Sequence, residues 1–220
     1  MRVKFCGITR LEDAERAAEL NAWAIGLNHW TGSPRRCDPA VAAEIGGALR
    51  RRLELVGVFV NATLDEIARA AEDEHLSMIQ LHGDEGLQFC NEIGRRTGCK
   101  VIKALRVRSG ADLDDARSYR TDFHLLDAHR DGVPGGTGES FNWELLRERR
   151  SKVPLILAGG LHPQNVGEAI AVARPFAVDL ASGIESAPGI KDHALMAEFA
   201  EQAEAAGGPT PLVPLHDPVT

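Results

Sequence analysis

Asp127 closes the apolar run Phe123-His124-Leu125-Leu126-Asp127, and a few residues later the chain reads Gly135-Gly136-Thr137-Gly138. A strand that ends in a lone carboxylate and opens into a glycine-rich loop sets one acid beside backbone able to wrap a small anion. The first apolar run has the same form, because Val3-Lys4-Phe5-Cys6 ends in a thiol and opens into Gly7-Ile8-Thr9. Two strand ends therefore each offer one proton-transfer group, the layout of an enzyme pocket.

The elements that must carry these groups recur regularly. Short apolar or β-branched runs stand at Val3 to Cys6, Ala24 to Leu27, Leu55 to Val60, Met78 to Leu81, Val101 to Leu105, Phe123 to Asp127, Pro154 to Ala158 and Ala177 to Leu180. Between them lie segments with helical spacing and capping residues, such as Leu64-Ile67-Ala68-Ala71 after Thr63. The runs lack strict polar alternation, which predicts burial on both faces and parallel pairing. Eight such units in one domain predict an α/β fold, a single-domain (β/α)8 TIM barrel over 1–205. A doubly wound open sheet is the rival, but no GxGxxG follows the first strand. The Pro/Gly-rich segment 206–220 reads as a loosely attached tail.

Composition narrows the function. The 220 residues are 44% hydrophobic and 26% charged, ordinary for a globular protein. No apolar run approaches the length of a membrane span, and the N-terminus enters a strand without a signal-like segment, so the expectation is a cytoplasmic protein with no membrane partner. A net charge of −7 argues against nucleic acid. Cys6, Cys37, Cys90 and Cys99 form no CxxC pair and no cluster with histidines, so neither a disulfide framework nor a metal site is expected. Arg50-Arg51-Arg52 reads as a solvated helix end.

In a (β/α)8 barrel, phosphate is often held by the loops after strands seven and eight. Here those loops read Leu157-Ala158-Gly159-Gly160-Leu161 and Leu180-Ala181-Ser182-Gly183-Ile184-Glu185. Gly159, Gly160 and Gly183 let backbone N–H groups approach phosphate oxygens, and Ser182 adds a hydroxyl donor. Turns that merely cap helices are the plainer explanation, but two such loops at consecutive expected positions favour a phosphorylated small-molecule ligand.

Lys4-Phe5-Cys6-Gly7-Ile8-Thr9, Ser33-Pro34-Arg35, Gln80-Leu81-His82-Gly83, Leu126-Asp127 with Gly135-Gly136-Thr137-Gly138, Leu157 to Leu161 and Ser182 to Glu185 together resemble phosphoribosylanthranilate isomerase. The resemblance runs from about residue 3 to residue 200. It implies an Amadori rearrangement in tryptophan biosynthesis, from N-(5′-phosphoribosyl)anthranilate to 1-(2-carboxyphenylamino)-1-deoxyribulose 5-phosphate, with no metal or organic cofactor. An acid protonates the furanose ring oxygen and opens the ring to a Schiff base; a base then removes the proton from sugar C2.

By resemblance Cys6 is the base and Asp127 the acid. Cys6 must be at least partly thiolate although a free thiol titrates near 8.5, and Asp127 must hold a proton although a free aspartic acid titrates near 3.9, which burial would favour. Lys4, two residues before Cys6, shares its strand face and is either a supporting charge or a barrel-floor lysine paired with a carboxylate. Asp179 is either a rival acid or a buried carboxylate bonded to neighbouring strands. Arg35 matches the residue expected to pair with the anthranilate carboxylate, while Leu27 to Gly32 departs from the usual, more aromatic loop. His82 either bonds a sugar hydroxyl or lines the pocket wall, and Gly136 and Thr137 close over the sugar and phosphate. Lys103 and Arg106 fall on opposite strand faces, so at most one faces the barrel. A metal-dependent phosphosugar epimerase is the runner-up, with only His82 well placed for it. A catalytically silent barrel that binds a phosphorylated metabolite would have no use for both Cys6 and Asp127.

Overall fold

The computed structural model describes residues 1–107, 109–127 and 143–207. Eight parallel strands, β1 (Arg2–Cys6), β2 (Ala24–Asn28), β3 (Glu54–Phe59), β4 (Met78–Leu81), β5 (Lys100–Arg106), β6 (Phe123–Asp127), β7 (Leu155–Ala158) and β8 (Ala177–Leu180), form a closed barrel in sequence order. Closure is made by β1 against β8, with Lys4 opposite Asp179. Every residue of β3, β4, β7 and β8 is buried, as the absence of polar alternation predicts.

Helices α1 (Leu11–Glu19), α2 (Pro39–Leu49), α3 (Leu64–Asp73), α4 (Leu87–Thr97), α5 (Gly110–Ala116), α6 (Val166–Ala173) and α7 (His193–Gly207) follow the strands. Local chemistry fixes their ends. Thr63 and Glu66 close a capping box on α3, Asp38 caps α2 ahead of Pro39, and Gly98 ends α4 at a φ of 70°. Arg50 to Arg52 are exposed at the C-terminal end of α2.

Three details depart from the sequence reading. The helical element described after β6 is a 3₁₀ segment, Trp143–Glu148. Ala206 and Gly207 complete α7 rather than begin a tail; 208–220 lie outside the described residues. Between β8 and α7 a short antiparallel hairpin, β9 (Glu185–Ala187) and β10 (Ile190–Lys191), is inserted.

Two apolar cores follow from the period of the strands. Residues facing the barrel axis, including Ala24, Val56, Met78, Ile102, Ala104, Phe123, Leu125, Ile156 and Ala177, form one cluster. Their neighbours Phe5, Ile25, Leu27, Leu55, Ile79, Leu126 and Leu157 face outward and pack with the helices, including Ile45, Ile93 and Phe199. At the N-terminal end of the barrel Trp23 meets Phe123 and Phe176 edge-on at 5.6 and 5.4 Å, with the Arg2 guanidinium 4.2 Å from the Phe176 ring centre. The chemistry is therefore left to the opposite, C-terminal end, where Cys6 and Asp127 end their strands. Among the described residues no helix is long and apolar enough to cross a membrane.

Candidate active site

Strand period puts Lys4 and Cys6 on the axial face of β1, and β2 opposes Cys6 with Gly26. A side chain there is excluded: a Cβ on Gly26 would lie 2.7 Å from Cys6 Sγ and 3.1 Å from Lys4 Nζ. The sulfur and the ammonium thus share the space that a larger residue would fill. Lys4 is fully buried and its Nζ donates to Asp179 Oδ1 at 2.7 Å across the β1–β8 seam. Lys4 is thus paired with a carboxylate of the neighbouring strand and also stands beside the thiol.

Burial works against the Lys4 charge, yet Asp179 and Cys6 outweigh it and hold the ammonium above its ordinary value. Burial dominates at Cys6 and pushes the thiol up, with Asp179 acting the same way, while Lys4 and Lys191 pull it down without prevailing. Burial thus favours the thiol, with a charged ammonium at hand to support the fraction that ionises.

Asp127 is partly exposed at the end of β6, on the same face as Phe123 and Leu125. His82 follows β4 beyond Gln80, whose Nε2 lies 3.3 Å from His82 Nδ1. Burial lowers the His82 pKa, and the opposing pull of Asp127 and Asp179 does not reverse it, so the ring is neutral at pH 7. Ile102 and Ala104 face the axis, which turns Lys103 outward, where it bonds the Gly83 carbonyl at 2.6 Å and Glu85 at 2.9 Å. Arg106, in step with Ala104, is the one on the axial side, exposed at the mouth and felt by His82.

Arg35 lies in the loop after β2, held by Ser33 Oγ, which accepts from the Arg35 amide at 3.1 Å. Its side chain crosses Gly7, where φ is 71° and a Cβ would come within 2.8 Å of Arg35 Cδ. The guanidinium meets Glu185 through Nε at 2.8 Å and Nη2 at 2.8 Å. Glu185 also accepts from Lys191 Nζ at 2.9 Å and the Gly189 amide at 3.2 Å. The rest of that loop is turned elsewhere: Asn28 accepts from the Trp30 amide at 2.9 Å, His29 stacks on Phe59, and Trp30 is 48% exposed.

Gly159 and Gly160 take φ of 95° and 64°, open to glycine but costly for other residues. Asn165 pins this loop by donating to the Gly160 carbonyl at 3.0 Å and accepting from the His162 amide at 2.9 Å. Gly183, inside the 3₁₀ turn Ser182–Ile184, presses on the loop after β7 so closely that a Cβ would lie 2.1 Å from the Leu161 carbonyl oxygen. Ser182 is exposed beside it. Gly136 and Thr137 lie outside the described residues.

The structure thus brings Cys6, Arg35, Asp127 and His82 to one mouth with the two glycine loops. Sequence reasoning missed roles for Gly26, Glu185 and Lys191; a glycine inside an apolar strand was a usable sign of close approach at Gly26. Among the described residues no group of three or more His, Cys, Asp or Glu could hold a metal ion.

Residues 3–202 match the family model described as N-(5′-phosphoribosyl)anthranilate (PRA) isomerase. The N-(5′-phosphoribosyl)anthranilate isomerase of Geotalea uraniireducens is 46% identical over 203 residues, 92% of this chain and 98% of that protein. The crystal structure of phosphoribosyl anthranilate isomerase from Thermotoga maritima superposes with a TM-score of 0.85 at 40% identity, covering 93% of this chain and 99% of that one. A solved complex of such an isomerase with reduced 1-(o-carboxyphenylamino)-1-deoxyribulose 5-phosphate has a TM-score of 0.81 at 38% identity, with the same coverage.

Proposed function

The chain belongs to the N-(5′-phosphoribosyl)anthranilate isomerase family, an enzyme family of tryptophan biosynthesis, and from that premise we propose how its residues divide the reaction. Asp127 is the acid and Cys6 the base. Asp127 protonates the furanose ring oxygen, the C1–O bond opens to a Schiff base, and Cys6 removes the C2 proton to give the enolamine that tautomerises to the ketose product. The observation that carries this division is the placement of the two groups at the ends of β1 and β6, on the axial face of one barrel mouth.

The raised pKa of Cys6 suits a base for a carbon acid. A more basic thiolate takes the proton more readily, and Lys4 stabilises the small ionised fraction from which it acts. His82, with a neutral ring, bonds a sugar hydroxyl. Arg35 receives the anthranilate carboxylate, and the loops carrying Gly159, Gly160, Ser182 and Gly183 receive the phosphate through backbone N–H groups. Gly136 and Thr137, by the family pattern, close over the sugar and phosphate.

The test is the decay of phosphoribosylanthranilate fluorescence, with substrate generated in place from anthranilate and phosphoribosyl pyrophosphate. Wild type clears the signal, and Cys6→Ala and Asp127→Asn lose turnover while still binding the reduced product analogue. Turnover within tenfold of wild type in either variant removes that residue from its role.

A further inference from the structure

Glu185 stands where a competitor for Arg35 would stand, yet its surroundings point the other way. Its side chain is 6% exposed and faces two cations, Arg35 and Lys191, the latter with a fully buried side chain. Lys191 Nζ also donates to the Ala181 carbonyl at 3.0 Å, and the Gly189 amide donates to the same Glu185 oxygen. One carboxylate between two cations leaves a unit of positive charge unmatched.

The geometry of the grip says where that charge is presented. Glu185 takes the Nε–Nη2 edge of the guanidinium, with Nε reaching both carboxylate oxygens at 2.8 and 3.1 Å. Among the described residues Nη1 makes no hydrogen bond, so the second edge of the fork is open. A guanidinium offers two such edges, and a second carboxylate fits the free one bidentately. Gly7 supplies the floor, since a Cβ at that position would come within 2.8 Å of Arg35 Cδ. Hairpin, floor and fork thus fix a side chain that otherwise has much rotamer freedom to lose on binding.

We propose that Glu185 is a positioning residue, which with Lys191 presets Arg35 so that its free edge receives the substrate's aromatic carboxylate. The proposal rests on the reading of Arg35 given above and deepens it: recognition of the anthranilate end is assigned to the hairpin β9–β10 as well as to the loop after β2. Glu185 touches no reacting atom, so its loss appears in KM far more than in kcat.

The experiment compares two inhibitors, the reduced product analogue and the same compound without its ring carboxylate. Inhibition constants are measured for wild type, Arg35→Leu and Glu185→Gln, with Glu185→Asp and Glu185→Gln/Lys191→Met as partners in case Glu185→Gln strands Lys191 and fails to fold. Glu185→Asp keeps the charge but withdraws it by one methylene, and the double variant removes both charges together. Arg35→Leu should abolish the preference for the carboxylated compound. Each Glu185 variant that folds should lower that preference tenfold or more while changing the other inhibitor by less than twofold. Equal weakening of both inhibitors makes Glu185 merely structural and overturns the proposal, as does an unchanged preference. Tighter binding of the carboxylated compound makes Glu185 a competitor and overturns it too. A preference that survives in Arg35→Leu removes the reading of Arg35 itself, a failure distinct from that of Glu185.

Discussion

Lys4 and Asp179 belong to one ion pair but act on Cys6 with opposite sign, so replacing them singly separates pairing from activation. Cys6 Sγ and Lys4 Nζ lie within 2.7 and 3.1 Å of one point beside Gly26 and so stand at most 5.8 Å apart. At that limit a unit charge is worth about 3 kcal/mol at an effective dielectric near 20. That corresponds to roughly a hundredfold in the thiolate population at a fixed pH below its titration. Lys4→Met removes the cation and should lower the ionised fraction of Cys6 by that order. Asp179→Asn removes the anion, leaves Lys4 facing the sulfur, and should raise it. Both variants break a 2.7 Å pair between buried groups, so each should cost about 3–5 kcal/mol of stability. The assay is the rate of Cys6 alkylation by iodoacetamide between pH 6 and 9, read by peptide mass spectrometry, which separates Cys6 from half-buried Cys99. Urea unfolding runs in parallel. If both variants move the alkylation rate in one direction, or Lys4→Met leaves it unchanged, Cys6 is not coupled electrostatically to the Lys4–Asp179 pair.

Gly26→Ala has no room for its methyl beside Cys6 Sγ, and it should cost about 1–3 kcal/mol by urea unfolding and lower kcat more than it raises KM. Gly183→Ala meets the Leu161 carbonyl rather than a flexible side chain, so it must displace a phosphate loop; KM for substrate should rise at least tenfold, and inhibition by inorganic phosphate should weaken in step. Asp13 is fully buried, and although burial pushes its carboxyl up, Arg10, His193 and the Lys191 amide hold it below the ordinary range. A depressed carboxyl adds stability that is present above its unfolded value of about 3.9 and lost as pH falls through the folded one. Asp13→Asn should therefore lower the urea midpoint at pH 6, with the gap to wild type closing below pH 3.9; a gap constant down to pH 3 contradicts the assignment.

Strand positions were readable because a parallel barrel buries both faces, leaving apolar runs such as Met78–Leu81 and Phe123–Asp127 whose limits the structure reproduces. Cys6 and Asp127 were readable for a related reason: a chemical group ending an apolar run must sit at the strand's C-terminal mouth. Arg35 carried its own signal in Ser33-Pro34-Arg35, but not its partner, because Glu185 is 150 residues away. Lys191 sits on a two-residue strand with no period to reveal it, and it gains meaning only once the hairpin folds back against Thr9 and Arg35. For Lys103 and Arg106, alternation said that they oppose each other; only the burial of Ile102 and Ala104 against the axis said which faced in.

The seam between β1 and β8 also dictates an order of events when the protein is made. Lys4 reaches Asp179 across 175 positions, and Asp13 reaches the backbone of Lys191 across 178. A chain emerging from the ribosome therefore shows its first strand long before the last one exists to cover it. Until then the Lys4 ammonium has no counterion from β8 and stays in water, where its hydration is cheapest, so β1 has reason to remain uncommitted rather than bury a lone charge. Barrel closure and assembly of the thiol's surroundings thus become a single late step. Fragments ending before β8 should consequently leave Cys6 with the reactivity of a thiol in solution.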